Sequence, residues 1–236
     1  MTDNKYSLEK YRLKNDARIY HFRFKDRVEM NKTFCRFSEF VESPTLKKQN
    51  LTHKDILKIT PDYYNIVLGH NIPDDCFKIF IKNISLNERE KNIFNNIDIT
   101  KSFSVIASYD SIKKFDATKH EFAHAFYALD NEYKIKIDKI IKEEFLSFKS
   151  IENILKYKQY DKDVWQDETH AALLDLSDNS FGFFYGRTFK GMIKQLIHCK
   201  IRFHFKYRGV AKKIKIVFNT YYATIKNVEL SKEEMI

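Results

Sequence analysis

Hydrophobic and polar positions alternate over residues 18–24, where Ile19, His21 and Arg23 interleave with Tyr20, Phe22 and Phe24; a period of two predicts a strand. The same alternation over 33–43, TFCRFSEFVES, predicts a second strand, broken by Ser43-Pro44. A third is predicted over 103–109, FSVIASY, with β-branched Val105 and Ile106. Helical spacing predominates elsewhere. Thr52 caps a short pattern carrying Ile56, Leu57 and Ile59, and a turn over 71–75 leads into an apolar helix over 76–84, followed by another over 87–97. Ile135, Ile137, Ile140 and Ile141 predict a helix over 133–148, and further helices are expected over 151–157, 161–175 and 192–199, with a loop over 180–191. Ile201, Phe203, Phe205 and Tyr207, then Ile214, Ile216 and Phe218, alternate with polar residues and suggest a hairpin around Gly209, with helix as the alternative. The chain shows no internal repeat. The expected class is α+β, helix-rich with a small antiparallel sheet. One domain would span 1–236, with 1–18 frayed or forming a short helix and 192–236 as a candidate C-terminal extension.

Composition narrows this picture little. The chain has 236 residues, 43% hydrophobic and 15% aromatic, which is enough to bury a core, and its 5 Gly and 3 Pro argue against long flexible linkers. A net charge of +10 admits nucleic acid as a partner, but the charge is spread along the chain. The basic, aromatic stretch KIRFHFKYRGVAKKIK could track phosphates and stack bases; an amphipathic strand needs the same alternation and is the preferred reading. Cys35, Cys76 and Cys199 are far apart and odd in number, so buried free thiols and a reducing, cytoplasmic setting are expected. The polar start lacks the apolar core of a signal peptide, and no apolar run is long enough to span a membrane. Secretion without a cleaved signal is the alternative.

Chemistry concentrates in residues 118–133, TKHEFAHAFYALDNEY, which contain His120-Glu121-Phe122-Ala123-His124. On a helix, residues four apart stack one turn above each other, so both imidazoles can reach one ion. Zinc accepts such nitrogens in a four-coordinate site that keeps a position for water, and Glu121 stands where it can take that water's proton and deliver it to a leaving amine. Chance alone would give this HExxH pattern in roughly 2% of such chains. The surrounding pattern adds weight: at about 100° per residue, His120, His124 and Tyr127 share one face while Phe122, Ala125, Phe126 and Leu129 share the opposite one. The competing structural account is a capping box, in which Thr118 and Glu121 close the helix start and both histidines are ordinary surface.

A third ligand is needed. Asp130 stands at the metzincin spacing, six residues after His124, but Tyr127 occupies the place where that group's turn has a glycine. In DVWQDETHAALLDL, Glu168 is preferred: it shares a face with Ala172 and Asp175, and the small Ala171 and Ala172 permit close helix packing. Leu173 and Leu174 would face the core, and Asp175 could orient a motif histidine. His170 is a rival that points away from Glu168.

The motif and its downstream helical glutamate resemble the gluzincin group of zinc metallopeptidases over about 60 residues. The sequence departs from the ExxxD pattern common in that group, since Ala172 stands four after Glu168. TFCRFSEFVESP (33–44), GHNIP (69–73), KHEFAHAFYALDNEYK (119–134) and DETHAALL (167–174) also look like landmarks of a group of small HExxH proteins, which supports Glu168 as the ligand. The resemblance implies a zincin-like fold, a bound Zn²⁺, metal ligands His120, His124 and Glu168, Glu121 as general base, and a peptide or protein substrate whose cleft the strand before the motif would line. Tyr127, Tyr185, Tyr221, Tyr222 and Arg187 are candidate oxyanion donors. The alternative function is a non-catalytic binding or effector module of the same fold.

Overall fold

Strand β2 (Arg18–Phe24) occupies the middle of a five-stranded sheet because the residues on both of its faces are covered. The computed structural model describes residues 5–43, 46, 48–110, 117–144, 162–177 and 193–227. Around β2 stand β1 (Tyr6–Arg12), β3 (Gly69–Pro73), β4 (Phe103–Tyr109) and β5 (Lys226–Asn227), in the order β3-β4-β2-β1-β5. The architecture is α+β, as expected, but the sheet is mixed rather than antiparallel. β2 and β4 run parallel, from Arg18 opposite Phe103 to Phe24 opposite Tyr109, while the other pairs are antiparallel. A parallel pair requires a long crossover, and the helices between β2 and β4 supply it.

Those helices are α1 (Arg27–Glu42), α2 (His53–Ile59), α3 (Tyr63–Ile66), α4 (Asp74–Asn83) and α5 (Glu88–Phe94). On one face of the sheet, Tyr20, Phe22 and Phe24 of β2 and Phe103, Val105 and Ala107 of β4 pack with Phe34 and Phe37 of α1 and Phe77 and Phe80 of α4. The other face carries α6 (Thr118–Leu129), α7 (Asn131–Glu144), α8 (Trp165–Ser177, after a 3₁₀ turn at Lys162–Val164) and α9 (Ile193–Tyr222). There Ile19 and Ile106 meet Phe122, Phe126, Leu173, Leu174, Ile214 and Phe218. The sheet is thus the middle of three layers.

Four sequence expectations are corrected. The N-terminal segment is neither frayed nor helical over 6–12; it forms β1, with Leu8 opposite Phe22. Residues 33–43 belong to helix α1, whose start Asp26 caps by accepting from the Glu29 backbone N–H. Their alternation misled because its polar members are not solvent-facing: Arg36 reaches Glu90 at 2.9 Å and Ser38 donates to His70 Nδ1 at 2.6 Å. Residues 69–73 are an edge strand rather than a turn; Pro73 is tolerated at its end because an edge position needs no donor there. The C-terminal stretch is helix α9, not a hairpin. Tyr207, Val210, Ala211, Ile214 and Phe218 are buried at helical spacing, whereas Ile216, which the alternating reading needs inside, is 67% exposed. That leaves no basis for the aromatic-basic alternation of a nucleic-acid strand. The expected helix over 151–157 and loop over 180–191 lie outside the described residues. Cys35 is buried, as expected of each cysteine, whereas Cys76 is only half-buried, and neither forms a disulfide. No helix among the described residues is long and apolar enough to cross a membrane.

Strand β3 is tied to α1 by a buried histidine. His70 Nε2–H donates to Asn31 Oδ1 at 2.7 Å, and Asn31 Nδ2 donates in turn to the carbonyls of Tyr64 and Val67. With Ser38 donating to Nδ1, the neutral ring is fully satisfied, and burial pushes its pKa down to about 3. Between pH 3 and 6.5 the unfolded chain therefore binds a proton that the folded one refuses, so stability falls as pH drops through that window. Urea unfolding at stepped pH should show this loss, on the order of 5 kcal/mol at most, and His70→Gln should flatten it.

Candidate metal centre

The motif helix α6 lies across β3 and β4 and against α8. Its apolar stripe behaves as read: Phe122 and Phe126 are buried against Tyr222 and Phe218. Its start is not a capping box. Ala117 stands at the cap with no side-chain bond, and Thr118 Oγ1 instead donates to Ser108 Oγ of β4 at 3.2 Å. Ser108 also lies 2.8 Å from His21 Nε2, and His21 Nδ1 lies 3.0 Å from Glu9. A polar chain from β1 through β2 and β4 thus anchors the first turn of α6, with His21 and Ser108 almost wholly buried.

The opposite face of α6 carries the histidines, covered by α8. Ala171 and Ala172 are fully buried, and the short side chains permit the close approach the sequence suggested. His120 Nδ1 lies 3.0 Å from Asp175 Oδ2. His124 Nδ1 lies 2.9 Å from Asp167 Oδ1, at ion-pair distance but without hydrogen-bond alignment. With both Nδ1 atoms turned to carboxylates, the two Nε2 atoms face each other 3.1 Å apart. At that distance the two Nε2 lone pairs repel unless a proton or a metal cation lies between them. Two nitrogens on one tetrahedral zinc, each about 2.05 Å away, would stand about 3.3 Å apart.

Glu168 completes the group. Its Oε1 is 3.7 Å from His124 Nε2, its Oε2 is buried with no hydrogen-bond partner, and the ligand atoms of His120, His124 and Glu168 all lie within 4.8 Å of one another. Among the described residues this is the only such cluster of histidine, cysteine and carboxylate ligands. An orphaned buried carboxylate oxygen beside two opposed nitrogens fits a divalent cation. The titration directions agree. Burial alone would lower both histidines, yet Asp175 raises His120, and Asp167 with Glu168 raises His124 well above the usual range. Asp167 is held low despite its burial, chiefly by His124. A site that draws protons onto its rings this strongly draws other cations by the same field.

Glu121 sits next to the cluster, 6% exposed, and burial pushes its carboxyl up to about 7 against the pull of the two imidazoles. Room for it comes from Gly69 on β3. A Cβ at Gly69 would lie 2.5 Å from Glu121 Oε1 and 2.9 Å from its Cδ and Cγ. The edge strand β3 thus lies directly against Glu121, and FSVIASY, which is β4, stands one strand further in under the start of the same helix.

The other candidates fall elsewhere. Asp130 caps the next helix, accepting from the Tyr133 backbone N–H at 2.9 Å, and takes no part in the cluster. His170 stacks on Tyr127, bonds Tyr133 at 3.0 Å and lies 3.3 Å from Asp167, so it stands behind Asp167 and is no ligand. Tyr127 donates to Asp138 at 2.7 Å, and Tyr221 and Tyr222 pack on Phe126 and Phe122, away from the ligand face. Tyr185 and Arg187 lie outside the described residues. Sequence reasoning missed Asp167, Gly69 and Tyr133. Only Asp167 had a signal, as a carboxylate beside Glu168 on the helix facing the motif.

A scan of protein-family models matches none to this chain, and searches of the curated proteins and of the solved structures return no match.

The Gly69 contact predicts a coupled pair. Gly69→Ala should cost about 1–3 kcal/mol through overpacking against the buried Glu121 side chain. The loss should largely disappear in Gly69→Ala combined with Glu121→Ala, measured as a double-mutant cycle by urea unfolding.

Proposed function

We propose that the protein is a zinc-dependent hydrolase of the HExxH type that cleaves a peptide or amide bond. The observation that carries the reading is the pair of Nε2 atoms facing each other 3.1 Å apart beside the buried, unpartnered oxygen of Glu168. His120, His124 and Glu168 would hold the ion, a two-imidazole and one-carboxylate set that leaves a tetrahedral position open. When bound, zinc supplies acidification of a water and polarisation of a substrate carbonyl. Glu121 would accept the proton at its carboxylate and release it to the leaving nitrogen from its place over Gly69. Asp175 and Asp167 hold the two rings so that each offers Nε2. β3 has only β4 as a ladder neighbour among the described residues, and an extended peptide could add to its open side next to Glu121. The reading agrees with the gluzincin resemblance in the motif and in Glu168. Asp175 lies two helical turns beyond Glu168, on the same face, where the ExxxD pattern has its acid after one turn.

Elemental analysis should find about one zinc per chain, with sharp loss in His124→Ala and Glu168→Ala. Glu121→Gln should keep the metal and lower hydrolysis of a quenched-fluorescent peptide library by about 10²–10⁴-fold. Asp175→Asn should weaken zinc about 10–100-fold in chelator competition. Wild type that takes up no zinc after supplementation would sink the proposal. Iron in place of zinc would move it to another chemistry of the same donor set, and zinc without hydrolysis would leave a binding module.

A further inference from the structure

On the face of the sheet opposite the motif, the junction of α1, α2, α3 and α5 forms an open pocket of about 490 Å³. Lys32, His53, Tyr64, Asn87, Glu88 and Arg89 line it. None of these residues belongs to the metal cluster.

The charge around this cavity does not balance. Lys5, Lys32 and Arg89 share one carboxylate, Glu29, at 2.6, 3.6 and 3.0 Å. Glu88 is paired with Lys91 at 2.7 Å, and the buried Glu90 with Arg36 at 2.9 Å. Three cations against one acid leave a surplus of about two positive charges at the rim. Arg89 uses its NH2 group on Glu29, while its Nε is buried and has no hydrogen-bond partner. Lys32 comes no nearer to Glu29 than 3.6 Å, beyond hydrogen-bond reach. His53 responds to the same field: burial first, then Arg36, Arg89 and Lys32, lower its pKa. Tyr64 OH lies 2.5 Å from His53 Nδ1; donation there leaves the neutral ring a donor at Nε2. The His53 and Tyr64 rings, with centroids 6.0 Å apart, add flat apolar surface to the wall.

We propose that this cavity binds a small phosphate monoester, its dianionic head between Lys32 and Arg89 and its organic body against Tyr64 and His53. The two negative charges of the head match the surplus. Arg89 offers the planar donors that suit phosphate oxygens, and Lys32 offers a point charge. The volume is in the range of small-molecule sites and much larger than inorganic phosphate alone would fill.

Isothermal titration of the full chain with phenyl phosphate, against phenol and inorganic phosphate at matched ionic strength, tests this. Phenyl phosphate should bind saturably, inorganic phosphate more weakly, and phenol not at all. Lys32→Ala and Arg89→Gln should each weaken binding about 10-fold. Glu29→Gln should tighten it several-fold by releasing Lys32 and Arg89 from the carboxylate they share with Lys5, a gain that misfolding cannot imitate. Lys136→Ala, on the helix α7 of the other face of the sheet, should change nothing. No saturable binding by wild type at about 10 mM overturns the proposal, as does equal binding by wild type, Lys32→Ala and Glu29→Gln.

Discussion

Two helices, α6 and α8, bury two imidazoles and four carboxylates largely in one another's contact, and this concentration of charge in a packed interface is the constraint to which the rest of the structure answers. Glu121, Asp167, Glu168 and Asp175 are all nearly or largely buried, and only Asp167 and Asp175 reach the Nδ1 atoms of the rings. Such a set is costly to desolvate unless a cation completes it. The alanines at 171 and 172 let the helices approach closely enough for carboxylates on one to meet rings on the other. A larger residue there would separate Asp167 and Asp175 from His124 and His120 together, since both acids stand on the same helix.

The sheet fixes the second half of the arrangement. On the α6 side, Glu9, His21 and Ser108 form a polar row across three strands and hold Thr118, so the motif helix begins at a defined place without a capping side chain. Gly69, paired with Ser108 in the ladder, then leaves space for Glu121. On the other side, His70, Asn31 and Ser38 lock the same short strand to α1. β3 is held from both faces over five residues, so the acid that would do the chemistry rests on a rigid floor.

Much of this was legible in the sequence. The HExxH spacing put both histidines on one helix face opposite an apolar stripe, and small residues flanking Glu168 on the later helix anticipated its approach to them. β2 was readable from its period-two pattern and β4 from the β-branched pair Val105 and Ile106. Residues 33–43 and 201–218 were misread because a short alternating pattern does not by itself show which positions face water. In α1, Arg36 and Ser38 are buried and paired; in α9, Ile216 is an exposed apolar residue. Pairing partners 54 positions apart, as for Arg36 and Glu90, leave no local trace. Nor does Gly69, whose meaning lies in a side chain that arrives from another element, or the direction of the β2–β4 pairing, which depends on how many helices intervene.

That parallel pairing also bears on how the molecule reaches its native state. Arg18 and Phe103, aligned across the two central strands, are separated by most of the first hundred residues of the chain. Closing so long a segment costs chain entropy before any ladder bond repays it. The outer hairpin of β1 and β2 has no such delay, because only a tight turn divides its strands. We expect the hairpin to assemble early and to wait for α1 through α5 before β4 can dock. Until then α6 has no sheet to lie on, and the histidines, the glutamates and the glycine that accommodates them are still apart.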